Sequence, residues 1–322
     1  MVAPASLALL YPTLLTALME ANYTLIPTED GVPHLVKIDY TPLTADELQT
    51  LAYNVESTSF TLFTRKNPTA GQNLILNDAN SIRSSHWDPN QVTVFVTHGW
   101  RSSGTSKACT LVRDAYLKAT AYNVIVVDWN SVASNPTYRP AAHGVPSVAD
   151  RVAKFINFMR TSVGLKTLAT KLVGHSLGAH VSSLAAKTVT ASSPIAEVVA
   201  LDPAKPMFES NGPNDRVDKS HARHVQVLHT CAAILGIKIS IGSSDFFANG
   251  GESQPGCGIN VTGQCAHGRA YEYFSESITN SRGFRAVAKN GAIAYMGGPT
   301  LDQSARGDYY FQTNSQSPYA RG

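Results

Sequence analysis

Five runs rich in valine and isoleucine recur along the chain, each closed by turn or polar residues. They are VTVFVTHGW (92–100), NVIVVDWN (123–130), TKLVGHS (170–176), AEVVALDPA (196–204) and HVQVLHT (224–230). Their apolarity is nearly continuous rather than alternating, which fits strands covered on both faces. Segments with helical spacing lie between or beside them: SKACTLVRDAYLKAT (106–120), SVADRVAKFINFMRTSV (147–163) and LGAHVSSLAAKTVT (177–190). The second sets Val148, Val152, Phe155, Ile156 and Met159 on one stripe. Alternating strands and helices predict an α/β fold, a mostly parallel central sheet with helices on both faces. The 322 residues are 43% hydrophobic, enough for a large core. No linker-like change of composition follows residue 50, so residues 51–322 read as a single domain.

One of these strands ends in a turn suited to chemistry. In KLVGHSLGAH (171–180), Ser176 stands between Gly174 and Gly178, after a strand and before a helix. Two glycines and a serine are a weak pattern alone, but strand, tight turn and helix form the context in which such a serine is exposed as a nucleophile. The helix N-terminus directs free N–H groups and positive potential toward it. A serine hydroxyl needs a base, and the base needs an orienting acid. The expected chain order is serine, then acid, then histidine. Asp202 closes the strand AEVVAL, at the strand edge where ligands bind in open α/β sheets. Asp215, Asp218 and Asp245 also lie downstream, in loop-like sequence. His221, His224, His229 and His267 are all candidates for the base, and spacing alone leaves the choice open. The oxyanion needs two aimed backbone donors. Leu177, next after the serine, supplies one, and VTHGW supplies the other through Trp100.

The N-terminus has no charged side chain before Glu20, and residues 3–18 are mostly small and apolar. Residues 1–21 therefore read as a secretory signal and 22–50 as a leader. The four cysteines are Cys109, Cys231, Cys257 and Cys265. An even count in a secreted chain reads as two disulfides. Spacing favours Cys257–Cys265 and elimination then gives Cys109–Cys231. No Cys-x-x-Cys pair suggests zinc. Asn22 and Asn260 open glycosylation acceptor triplets. Charged residues are 15% of the chain and the net charge is +3, with no block of like charges, which argues against a nucleic-acid partner.

The chain resembles the pancreatic-type lipase family, particularly its insect members and the phospholipase A1 branch. The resemblance runs from about residue 60 to the C-terminus. It rests on FTLFTRKNP (60–68), THGW, VDW, GHSLGAHV, LDPAKPMF (201–208), VQVLHT, DFFANGGESQPGC (245–257) and the Cys265-x-His267-x-Arg269 segment followed by YFSESI. It implies an α/β-hydrolase fold, Ser176 as nucleophile, Asp202 as acid, His267 as base, and Trp100 and Leu177 as oxyanion donors, with no cofactor. The implied activity is that of a secreted carboxylester hydrolase working at a membrane, micelle or droplet surface. The alternative is a non-catalytic lipid-binding or storage protein on the same fold, akin to yolk proteins.

Three departures refine this expectation. The chain ends before the C-terminal β-sandwich of full-length members, so no colipase-like partner is expected. Calcium-binding members carry acidic ligands after LDPA-P-F. Here DRVDKSHAR (215–223) keeps Asp218 but has His221 where an acid is expected, which argues against a metal. The family lid is a disulfide-closed loop, and Cys257 to Cys265 would enclose only seven residues. The neighbouring loop 231–244 is also short. Short loops of this kind resemble phospholipase A1 or galactolipase members more than conventional triacylglycerol lipases.

Overall fold

The computed structural model describes residues 22–28, 31–191, 193–232, 234–258 and 262–322. The proposed signal at 1–21 and Asn260 lie outside these residues. Among the described residues there are thirteen strands: β1 Tyr23–Pro27, β2 Pro33–Lys37, β3 Ser59–Phe63, β4 Gln72–Leu74, β5 Thr93–Thr97, β6 Asn123–Asp128, β7 Thr170–His175, β8 Glu197–Leu201, β9 His224–His229, β10 Ser244–Ala248, β11 Arg285–Ala288, β12 Ile293–Tyr295 and β13 Gly307–Phe311. The helices are α1 Ala45–Glu56, α2 Ala79–Arg83, α3 Lys107–Ala119, α4 Asn130–Ala133, α5 Tyr138–Val163, α6 Leu177–Thr190 and α7 Gln264–Thr279. None among the described residues is long and apolar enough to cross a membrane.

Eleven strands form one sheet in the order β12-β11-β13-β10-β9-β8-β7-β5-β6-β3-β4. The strands from β6 across to β13 run parallel, and antiparallel strands finish both edges. All five apolar runs became neighbouring central strands, and their continuous apolarity has a direct cause. Phe95, Ile125, Val127, Leu172 and Val198 point into a core shared with α5 and α6. Val94, Val96, Val124, Val126, Val173 and Val199 point the other way, into a core shared with α3 and α7. Both faces of these strands are covered, so apolar residues predominate at both parities of position. Phe60 stacks on Phe155 at 3.9 Å, joining the β3 edge to α5.

Three regions differ from the sequence reading. Helix α5 begins at Tyr138, ahead of the apolar stripe starting near residue 147, and carries Pro146 in its interior. Proline removes one helical hydrogen bond, and the buried Tyr138, Ala141, Ala142 and Val145 hold the extra turns against the core. The short strands β10 and β13 pair in parallel near one side of the sheet, and nothing in their local pattern separates them from loop. Residues 22–50, read as leader, contribute the two-stranded β1–β2 hairpin and the first half of helix α1, which runs on into the segment read as the domain. Thr44 caps α1 with a reciprocal bond to Glu47.

Several buried histidines make stability depend on acid. Burial pushes His180 down to about 3 and His221 to about 4. Burial and then the Arg306 charge take His224 to about 4. Each would be protonated near pH 6.5 in the unfolded chain. Between pH 6.5 and about 4 the unfolded state therefore binds protons that the folded state refuses. This contribution is complete above pH 6.5 and is lost as pH falls, by up to about 1.4 kcal/mol per pH unit for each histidine. His229 acts oppositely. Burial alone would lower it, but the hydrogen bond and charge of Asp245 raise it, so its contribution is present at low pH and is lost as pH rises through its folded value. His175 is also held down by burial, and four against one leaves a net loss on acidification. Urea midpoints at pH 7.5 and 5.0 check this, and equal midpoints would refute it.

Candidate active site

The C-terminal ends of the central strands converge on one cleft. The turn after β7 places Ser176 at φ 58°, ψ −123°, a left-handed conformation costly for a residue with a Cβ. The conformation is over-determined. Ser176 N–H donates to the Leu201 carbonyl at 3.0 Å. A Cβ on Gly174 would lie 2.0 Å from the Gly178 carbonyl oxygen, and one on Gly178 would lie 2.2 Å from that of His98. A Cβ on Gly99 would lie 2.8 Å from Ser176 Cβ. Strand, turn and helix thus pack with no room for side chains on their contact faces, which leaves the Ser176 hydroxyl at the cleft.

Asp202 follows β8 and is fully buried. Its Oδ1 accepts from the Thr230 and Cys231 N–H groups at 2.9 and 3.0 Å, and its Oδ2 lies 2.5 Å from His267 Nδ1. His267 sits in the first turn of α7, just after Cys265. The Cys257–Cys265 disulfide is present and fixes the start of that helix. The histidine carbonyl lies 3.1 Å from His175 Nε2, and the two rings are 4.3 Å apart. Burial first, and then the charge His267 would carry, hold His175 well below the usual histidine range. His175 is thus a neutral donor in contact with His267.

Ser176, His267, His175, Gly99 and Trp100 line the same cleft, together with apolar Tyr138, Pro206, Leu235 and Tyr271. Among the described residues no hydrogen bond joins the Ser176 hydroxyl to His267. Such contacts are commonly loose before substrate binds. Leu177 opens α6, where the helix offers its N–H no partner. The Trp100 N–H has no main-chain or side-chain acceptor among the described residues. The Trp100 indole is anchored by its bond to the Asn135 carbonyl at 3.0 Å and by its edge contact with Tyr138.

The other candidates have different partners. His221 Nδ1 lies 2.9 Å from Ser183 Oγ, His224 Nε2 lies 2.9 Å from Ser244 Oγ, and His229 Nε2 lies 2.9 Å from Asp245 Oδ1. Asp218 caps a short turn through Ser220, and Asp215 lies in an exposed turn. The donor set does not suit calcium, a hard cation wanting several oxygen ligands. His221 is buried with its imidazole on Ser183, and among the described residues no group of three acidic, histidine or cysteine side chains lies close enough to hold a metal.

The Cys109–Cys231 pairing is incorrect. Cys109 lies in α3, within the core on one face of the sheet, while Cys231 follows β9 and packs with Leu235 and Ala266. Each remains a buried thiol. Burial and then the Asp202 charge push Cys231 up to about 12, which keeps it protonated. Elimination failed because an even count does not oblige every cysteine to pair. Sequence reasoning also missed Gly236, where a Cβ would lie 2.4 Å from Asp202 Oδ1, and the two N–H donors that orient the carboxylate. Backbone donors have no residue-type signal. Asn22 is exposed at the turn before β1.

A parallel sheet with a strained serine after one strand and a buried carboxylate after the next defines an α/β hydrolase. The family described as Lipase matches residues 36–319, and this chain belongs to the lipase family. It is 35% identical over 251 residues to human "Inactive pancreatic lipase-related protein 1", covering 71% of this chain and 53% of that protein. Human "Pancreatic triacylglycerol lipase" is 32% identical over 250 residues, with the same coverages. "Lipase member H" of Xenopus tropicalis is 36% identical over 226 residues, covering 68% of this chain and 48% of its own. The chain spans about half the length of these curated relatives.

Proposed function

We propose that this chain is a secreted serine hydrolase that releases fatty acids from lipid esters, acting on sn-1 chains of phospholipids or galactolipids ahead of triacylglycerols. The observation that carries the reading is the buried Asp202 carboxylate held 2.5 Å from His267 Nδ1, with His267 and Ser176 on one cleft. The apolar stretch at 1–21 and the 257–265 disulfide support secretion.

His267 Nε2 takes the Ser176 proton as Oγ attacks the ester carbonyl carbon. The carbonyl oxygen becomes an oxyanion, received by the Trp100 and Leu177 N–H groups. His267 then passes the proton to the departing alcohol oxygen as the carbon–oxygen bond breaks, leaving an acyl-serine. Water gives a proton to His267, its hydroxyl adds to the acyl carbon, and the fatty acid leaves as the proton returns to Ser176 Oγ. Asp202 holds His267 as the tautomer with its proton on Nδ1, so that Nε2 can accept. The two N–H donors on Asp202 Oδ1 hold the carboxylate in place, with Oδ2 turned to His267.

Substrate preference follows from the lid. A disulfide loop of only seven residues carries little apolar side-chain surface, so opening at an oil interface would gain little, which supports a substrate with a polar headgroup. Purified protein is expected to cleave phosphatidylcholine or a galactolipid faster than trioleoylglycerol. Rapid trioleoylglycerol turnover with no phospholipid or galactolipid cleavage would reject the preference.

A non-catalytic lipid-binding role is the second reading, favoured by one fact: the human relative at 35% identity is named inactive. A fluorophosphonate probe separates the two, since it labels an activated serine and leaves an inert one untouched.

A further inference from the structure

The β1–β2 hairpin stands over the cleft, and residues 23–35 precede the part of the chain that matches the family. Ile26 and Pro27 line the cleft beside Ser176 and His267, facing Leu235 and Tyr271. Ile26 also packs on both the main core and the small cluster of Cys231, Leu235 and Ala266, so it bridges the sheet to the loops around Asp202. The hairpin is anchored. Val36 on β2 is buried at 4% exposure. His34 meets the Trp100 ring edge-on at 6.0 Å and lies 3.4 Å from the Arg101 guanidinium. The hairpin is therefore fixed to the residue after Gly99 and holds an apolar wall next to the serine.

We propose that this hairpin forms a subsite for an aliphatic chain of the bound ester, with Ile26 as its principal contact. The proposal rests on the reading of Ser176 as an acyl-transfer nucleophile and goes beyond it by assigning substrate selectivity to residues outside the matched family segment. Apolar surface buried on such a wall favours longer chains, by up to ~4-fold per methylene wholly removed from water.

The test compares kcat/KM for long and short esters below their micelle concentrations, in two arms. p-Nitrophenyl laurate against butyrate places the chain on the acyl side, and dodecyl against butyl acetate places it on the alcohol side. Ile26→Ala is expected to lower the long-to-short ratio by roughly 5–10-fold in one arm, from loss of one apolar contact, and that arm identifies which chain the wall receives. Leu35→Ala, on the exposed outer face of the hairpin, is expected to leave both ratios unchanged. A second measurement needs no variant. Amide exchange in 23–26 and 34–37 should slow after Ser176 reacts with a dodecyl phosphonate and not with an ethyl phosphonate. Unchanged ratios in both arms together with equal exchange after both phosphonates would overturn the subsite and leave ester hydrolysis standing. An equal shift in Leu35→Ala would also overturn it, by assigning the effect to hairpin folding. Failure of the parent protein to turn over any ester or to take up phosphonate would instead overturn the hydrolase reading, and the subsite with it.

Discussion

On the proposed mechanism, Ser176→Ala is expected to lower ester hydrolysis by roughly 10⁴–10⁶-fold, because a nucleophile, base and acid that act as one unit lose the covalent route entirely with the nucleophile. Fluorophosphonate labelling should vanish in parallel. Alanine keeps the Cβ, so the left-handed backbone at φ 58° is no more strained than before. The Ser176 N–H still reaches the Leu201 carbonyl. The variant should therefore melt within a few degrees of the parent, which makes the loss chemical rather than structural. Residual hydrolysis within about tenfold of the parent would mean that another group carries the reaction or that the protein is not a serine hydrolase.

Gly178→Ala should do the reverse, damaging the fold first and the chemistry through it. The new Cβ would stand 2.2 Å from the His98 carbonyl oxygen and 2.5 Å from that of Thr97. Both obstacles are backbone of the strand end at β5, which cannot rotate away as a side chain would. Relief requires α6 to lift from the sheet, carrying Ser176 and the Leu177 N–H with it and opening the core beneath Leu177, Ala179 and Val181. Overpacking at such a site costs about 3 kcal/mol or more, which in a chain this size lowers Tm by roughly 5 °C. Thermal melts and phosphonate labelling should fall together. A normally stable Gly178→Ala protein with full labelling would show that the strand–helix contact is looser than these distances state.

The order of these effects matches how the site was legible. The five valine- and isoleucine-rich runs identified the central strands because each strand packs on both faces, which favours apolar residues at both parities. The turn at Ser176 was readable for a related reason: a close strand–helix contact admits only glycine at two nearby positions, and that constraint is local. Asp202 was suggested by its place after a strand. Choosing His267 among four histidines needed either family resemblance or coordinates, since each of the other three meets a partner remote in sequence that no spacing encodes.

The chain by itself determined the alternation of strand and helix, the sharp turn carrying Ser176, and the order of serine, aspartate and histidine, because these follow from neighbouring residues and from which faces must be dry. Only the tertiary structure decided which imidazole reaches the Asp202 carboxylate, that Cys109 and Cys231 remain apart, and that residues 23–37 fold back to wall the cleft. Those outcomes depend on groups tens to hundreds of positions apart in the chain. Their proximity is set by how the sheet and its covering helices pack as a whole, and no local pattern records it.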